Sequence, residues 1–113
     1  EERGGPSECT PLHVAAYRGH EDLVLLLLEH RADVSSKNNA GRTSLHWAAE
    51  AGPEAVVRVL LDNGADLQSK THYSVEGGGG QTPEDVATRR RRPQIVAMFQ
   101  AEPARREAVR RAQ

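Results

Sequence analysis

The chain has 113 residues, enough for about one domain, and its net charge is −1. This balance argues against a dedicated nucleic-acid-binding domain, which is usually strongly basic. Cys9 is the single cysteine, which excludes an internal disulfide and a cysteine-rich zinc site. Aromatic residues are only 4% of the chain, too few for a base-stacking surface.

Membrane and secreted classes are also disfavoured by the sequence. The longest apolar run, 23–28, has six residues, whereas a bilayer-spanning helix needs about 20. The first residues are polar and contain no apolar targeting segment. With a lone cysteine and no export signal, we expect a cytoplasmic or nuclear protein, with no membrane contact.

A repeat of 33 residues organises the chain. Residues 10–37 and 43–70 are identical at 14 of 28 aligned positions, where unrelated sequences would share about 2. The two copies begin Thr-Pro-Leu-His-Val-Ala-Ala and Thr-Ser-Leu-His-Trp-Ala-Ala. A third copy begins at Thr82, at an offset of 39 instead of 33. The six extra residues fall in a glycine-rich stretch near 72–80, which we expect to be a flexible insertion.

Each copy is predicted to form two helices joined by a tight turn. A threonine that can cap a free backbone N–H precedes each first helix; these are Thr10, Thr43 and Thr82. Gly19 and Gly52 are predicted to end the first two of these helices in the positive-φ region. Arg31, at the end of the second helix of the first copy, is a weaker stop than the equivalent Gly64. The polar segments 32–41 and 65–81 are expected to be extended, hairpin-like connectors.

The second helices are predicted to begin near Glu21 and Glu54 and to bury an apolar stripe, because their apolar residues recur every three or four positions. The stripe residues are Leu23, Val24, Leu27 and Leu28 in the first copy and Val56, Val57, Leu60 and Leu61 in the second. We expect the two leucine pairs to pack side by side and Leu12 and Leu45 to share one core. Leu25 lies outside the stripe, where the second copy has Arg58. Either the chain is part of a longer array, or this end contacts a partner.

This period and the Thr-Pro-Leu-His-x-Ala-Ala motif resemble the ankyrin repeat. The resemblance covers residues 6 to about 101 and implies an all-α solenoid of stacked helix–turn–helix units with finger loops along a concave face. The implied divisions are an extension at 1–5, repeats at about 6–37, 38–70 and 71–102, and a basic tail or short helix at 103–113. It also implies that His13 and His46 are structural, since in the family this histidine ties neighbouring loops together. The third repeat departs from the motif in a way that suits a polar C-terminal cap.

Charge is unevenly distributed along the chain. Residues 1–86 carry 7 basic and 14 acidic side chains, whereas residues 87–113 carry 8 arginines and two glutamates. A short helix is predicted to start at Pro103. The Arg89–Arg92 run indicates a solvated cap surface, contact with an acidic partner or, less strongly, nucleic acid.

No motif indicates catalysis, a metal site or a cofactor. His20 is expected to make a turn contact, and His30 and His72 are expected to be exposed. None has the local spacing of metal ligands, and the four consecutive glycines lack the lysine of a phosphate-binding loop. Cys9 precedes a helix start but has no identified neighbouring base. We therefore expect a protein that is not an enzyme.

These observations favour a protein–protein interaction module. The resemblance places the contacts on the first helices and finger tips: Tyr17, Arg18, Asn39, Arg42, Glu50, His72, Tyr73, Arg89 and Arg90. Trp47 is assigned to the core, with part of its indole reaching the groove. An alternative is an architectural segment of a larger protein or complex that docks through its arginine-rich C-terminus. In either case we expect a monomer or part of a larger chain. Nucleic-acid association through the arginines is a weaker alternative.

Overall fold

The computed structural model describes residues 10–38, 40–72 and 80–112, and within them it contains six α-helices and no β-strand. The helices are α1 (Pro11–Arg18), α2 (Glu21–Glu29), α3 (Ser44–Ala51), α4 (Glu54–Asp62), α5 (Pro83–Arg89) and α6 (Pro93–Ala112). None of the helices in the described residues is long and apolar enough to cross a bilayer. The second helices begin at Glu21 and Glu54, as predicted.

The helices stack in two rows. The inner row is α1, α3 and α5, and the outer row is α2, α4 and α6; each helix packs against the next in its row. Leu12 and Leu45 lie in one continuous core with Leu60 and Leu61, and the pair at 27–28 packs partly buried against it. The predicted all-α solenoid of helix–turn–helix units is confirmed.

Each inner-row helix begins with a reciprocal cap. The Thr10 Oγ1 accepts from the His13 backbone N–H at 3.2 Å, and the His13 Nδ1 accepts from the Thr10 backbone N–H at 3.1 Å. The same pair of bonds joins Thr43 to His46, and Thr82 to Asp85. The predicted threonine caps are confirmed, and the residue three positions later completes each one.

The two glycines that end α1 and α3 have different roles. Gly19 adopts a φ of 75°, as predicted, but Gly52 is extended, with φ −79° and ψ 160°. Pro53 follows Gly52, and a residue before proline favours extended backbone. Glycine is needed there for space, because a Cβ at Gly52 would lie 2.8 Å from the Ala16 carbonyl oxygen. The expectation of positive φ at Gly52 was wrong.

The apolar stripe of α2 is less buried than predicted. Val24 is buried, but Leu23 is 40% exposed, whereas its equivalent in the second repeat, Val56, is fully buried. The difference follows from position, because α4 lies between α2 and α6 whereas α2 ends its row. Leu25, outside the stripe, is also 39% exposed.

The C-terminal arginines continue the last helix. The α6 helix runs through Pro103 without a break, so no separate helix begins there. A proline inside a helix removes one backbone hydrogen bond, and side-chain contacts to α4 offset this loss. Arg106 Nη2 donates to the carbonyls of Leu61 and Ala65, at 3.3 and 2.8 Å. The second half of α6 is thereby tied to the end of α4.

Candidate functional site

Two buried histidines bind the loops that follow their repeats' helices, within the first unit for His13 and across to the third unit for His46. His13 Nε2 lies 2.8 Å from the Ser36 carbonyl oxygen, and His46 Nε2 lies 2.8 Å from the Gln81 carbonyl oxygen. Because a carbonyl can only accept, each ring carries its proton on Nε2, and its Nδ1 accepts from the capping threonine's N–H. The structural role that the resemblance implied for both residues therefore has a direct geometric basis.

Burial keeps both rings neutral. Burial lowers the pKa of His13, and this effect outweighs the hydrogen bond to Ser36, which would raise it. It lowers the pKa of His46 to about 4, against the bond to Gln81 and with help from the nearby positive charge of Arg42. Histidines held neutral in this way serve the scaffold that positions the inner row.

Trp47, on α3, lies between an aromatic ring and a cation. The Tyr17 ring meets it edge-on, with centroids 5.4 Å apart and planes at 85°. The Arg42 guanidinium carbon is 4.2 Å from the indole centroid, within cation–π range. Tyr17 is 46% exposed, and Trp47 is half-buried. Side chains of the first and second units therefore meet on one surface.

A shared carboxylate continues this surface to the third unit. Glu50 binds Arg42 with one oxygen and Arg90 with the other, the latter at 2.7 Å. Partial burial would raise the pKa of Glu50, but the hydrogen bonds and charges of Arg90 and Arg42 hold it below its usual value. Two guanidinium groups on one carboxylate leave a net positive charge here.

A pocket of about 370 Å³ opens beside Trp47, between α1 and α3. Its lining, mostly apolar, is formed by His13, Val14, Tyr17, Arg18 and Trp47. We call the surface from this pocket across Arg42 and Glu50 to Arg90 the groove face. Five of the predicted contact residues lie on it: Tyr17, Arg18, Arg42, Glu50 and Arg90.

Arg89 and His72 make their hydrogen bonds outside the groove face. Arg89 is exposed and donates to the Gln81 side-chain oxygen at 3.3 Å. His72 is exposed, as expected, and its backbone N–H donates to the Ala40 carbonyl at 2.9 Å. Asn39 and Tyr73 lie outside the described residues, as does most of the glycine-rich insertion.

Several arginines of the basic C-terminal part bind other parts of the chain. Arg92 donates to the carbonyls of Ala48, Ala49 and Gly52 at the end of α3. In α6, Arg105 and Arg106 pair with the buried Glu102. Arg92, Arg105 and Arg106 of the basic C-terminal part therefore make contacts that hold the fold together.

Sequence reasoning missed Val14, whereas Trp47 packs partly buried against the core and lines the pocket, in agreement with its prediction. The two residues are 33 positions apart, so they occupy the same place in successive repeats. Val14 is 43% exposed and lies one helical turn before Tyr17, on the same face. This spacing on α1 was the signal that could have placed Val14 on the groove face.

His20 and His30 differ in how they meet their sequence-based predictions. His30 is exposed, as expected, but His20 makes no side-chain bond at the start of α2. No group of three His, Cys, Asp or Glu side chains that could hold a metal ion occurs in the described ranges. Cys9 lies outside them.

Comparisons with known proteins agree on the family. A family model described as ankyrin repeats (3 copies) matches residues 2–71, and one described as ankyrin repeats (many copies) matches residues 45–100. E3 ubiquitin-protein ligase XBAT33 of Arabidopsis thaliana is 54% identical over 35 residues, 31% of this chain and 7% of that protein. "Probable E3 ubiquitin-protein ligase XBOS33" of Oryza sativa subsp. japonica matches to the same extent. The chain thus aligns with a small part of either ligase. Because the first family match covers more than half of its length, the chain belongs to the ankyrin repeat family.

Proposed function

We propose that this chain is a non-enzymatic protein-binding module that holds its partner on the groove face. Ankyrin repeats are generally protein–protein interaction modules. The observation that carries the proposal is the unbroken line of contacts from Tyr17 through Trp47, Arg42 and Glu50 to Arg90. This line crosses all three units.

The residue types on this face suit an interface. Tyrosine, tryptophan and arginine are enriched among residues that dominate binding energy. Here Tyr17 and Trp47 hold each other in place, and Arg42 is fixed by both the indole and Glu50. Side chains that are already ordered lose less entropy when a partner binds. The face is therefore preorganised for recognition.

Photo-cross-linking tests the proposal. A photoreactive phenylalanine analogue is placed at Arg89 or Ala51, both exposed at the ends of inner-row helices. The matched control places it at Glu29 or Asp62, both exposed at the ends of outer-row helices. After irradiation in extract of the source cells, we expect the same cross-linked protein from both inner-row positions and none from the controls. Cross-links that form only from outer-row positions would exclude the groove face.

A second candidate is end-to-end assembly through α2. Leu23, Leu25 and Leu26 are each 39–49% exposed on the helix that ends the outer row. The occupant we propose is a second copy of the chain, which would cover these leucines. Sedimentation should then show a concentration-dependent dimer that Leu25→Glu abolishes. A chain that stays monomeric at about 1 mM would remove this candidate.

The architectural alternative through the arginine-rich C-terminus has weaker support. Arg105 and Arg106 already bind Glu102, and Arg110 and Arg111 pair with Glu107. The nucleic-acid alternative is weakened in the same way, because Arg92 is bonded to α3 carbonyls. Binding to a mixed-sequence duplex that falls steeply with added salt would revive it.

A further inference from the structure

The pocket between α1 and α3 has room for a bulky side chain and a mostly apolar lining. Its volume of about 370 Å³ lies near the lower end of the 300–1,000 Å³ usual for ligand pockets. Val14, Tyr17 and Trp47 supply an apolar lining. Exposed apolar side chains grouped in a concavity favour burial of an apolar group from a partner.

The walls of this pocket are fixed before any partner arrives. His13 is held at both ring nitrogens, by the Thr10 backbone and the Ser36 carbonyl. Trp47 is held between Tyr17 and the Arg42 guanidinium. The burial that lowers the pKa of His13 keeps its ring neutral at pH 7, so this wall adds no charge. The pocket therefore presents a neutral apolar interior.

Positive charge lies at the edge of this interior. Arg18 lines the pocket and is exposed, and no carboxylate among the described residues lies within 4.0 Å of its guanidinium. On the other side of Trp47, Arg42 and Arg90 share the single carboxylate of Glu50. Three cations against one anion make the groove face positive, although residues 1–86 as a whole carry a charge of −7, from 7 basic and 14 acidic side chains.

We propose that this pocket receives one bulky apolar side chain of a partner segment in which a carboxylate stands next to that side chain and pairs with Arg18. The proposal rests on the protein-binding function proposed above and names the chemistry that the groove face selects. The apolar side chain supplies buried area, and the carboxylate supplies orientation and specificity. A segment with a basic neighbour would be repelled by Arg18.

Trp47 is the only tryptophan of the chain, so its fluorescence reports on the pocket directly. The probe is a synthetic heptapeptide, acetyl-Gly-Ser-Asp-Leu-Asp-Ser-Gly-amide. Two matched probes replace its leucine with alanine or both aspartates with lysine. We expect the leucine probe to change the Trp47 fluorescence saturably, with a Kd on the order of 1 mM. The alanine probe should bind about tenfold more weakly, and the lysine probe about fivefold more weakly.

Variants of the full chain test whether the fluorescence change arises from binding in the pocket. Val14→Glu and Arg18→Glu should each abolish saturation by the leucine probe. Val109→Glu is the control for the first, because it places the same charge at a similarly exposed valine of α6, outside the pocket. Arg31→Glu is the control for the second, because it reverses an exposed arginine of the same repeat outside the pocket. Both controls should bind the probe as the unaltered chain does.

Nuclear magnetic resonance of the unaltered chain gives a readout that needs no variant. The leucine probe should shift the Val14 methyl and Trp47 indole signals, and the Val96 methyl signals on α6 should stay in place. The proposal is overturned by no saturable change up to about 5 mM probe, by equal binding of the alanine probe, or by shifts centred away from the pocket. Such a result combined with cross-links at Arg89 and Ala51 would leave the groove-face function standing and reject only the pocket chemistry.

Discussion

The buried carboxylate of Glu102 accepts a hydrogen bond from Arg58 Nη1 at 3.1 Å, which joins α6 to α4. The same carboxylate pairs with Arg105 and Arg106 at 3.0 and 2.9 Å. Burial alone would raise the pKa of Glu102, but hydrogen bonds from these three arginines hold it below its usual value. One acidic side chain therefore anchors the part of α6 that follows Pro103.

Replacing this anchor should loosen the end of α6. For Glu102→Gln we expect the free energy of unfolding to fall by about 1–3 kcal/mol, because charge-assisted hydrogen bonds are lost but the partly exposed arginines can be hydrated. Urea unfolding measures the loss, and hydrogen exchange should become faster in residues 103–112. Glu107→Gln, with an exposed carboxylate, should cost less than about 0.5 kcal/mol. Equal effects of the two changes would contradict the anchoring role.

Stability should fall as the pH drops below about 6.5. The fold lowers the pKa of His46 to about 4, so between these values the unfolded chain binds a proton that the native chain does not. Acidification in this range therefore lowers the free energy of unfolding, by about 1.4 kcal/mol per pH unit for one histidine. His13, whose pKa is also lowered, acts in the same direction.

Urea midpoints measured between pH 7 and pH 4 check this dependence. His46→Gln should be less stable than the unaltered chain at pH 7 but should lose less stability on acidification. His30→Gln, at an exposed position, should keep the slope of the unaltered chain. A slope that His46→Gln leaves unchanged would refute the assignment.

Arg31 ends α2 with a φ of 69°, a conformation that side chains with a Cβ rarely adopt. We expect Arg31→Gly to raise the free energy of unfolding by about 0.5–1 kcal/mol, since relief of backbone strain exceeds the added freedom of the unfolded chain. Gly64→Ala at the equivalent place in the second unit, with φ 85° and open space around it, should lower stability by about 1 kcal/mol. Thermal unfolding measures the stability change of each variant. Stability changes of the same sign in both would reject the strain argument.

Gly52→Ala should destabilise the chain for a steric reason. The added Cβ would lie 2.8 Å from the Ala16 carbonyl oxygen and 2.9 Å from the Ala48 Cα, both backbone atoms that move only with their helices. We expect a loss of about 1–3 kcal/mol, as for overpacked cores. Ala51→Gly, at the neighbouring exposed position, should cost less than about 1 kcal/mol. Denaturant unfolding measures both changes. If Gly52→Ala left the free energy of unfolding unchanged, α1 and α3 would be able to move apart.

Part of the candidate site could be predicted from the positions of its residues in the repeats. Tyr17 and Arg18 were identified because they end a first helix, and Glu50 and Arg90 because they occupy similar places in later repeats. Trp47 was assigned mainly to packing, since an aromatic residue within an apolar motif is usually buried. Its pairing with Tyr17 and Arg42 depends on how closely α1 approaches α3, which repeat spacing does not define.

The sequence by itself determined the period, the helix starts and the threonine caps, and its resemblance to the ankyrin repeat implied a structural role for His13 and His46. These features follow from local rules repeated every 33 residues, so each copy of the motif tests the others. Only the tertiary structure decided that α6 continues through Pro103 and which arginines are committed to the fold. Those outcomes depend on contacts between residues about forty positions apart, where a guanidinium finds a carbonyl or carboxylate only after the helices have stacked.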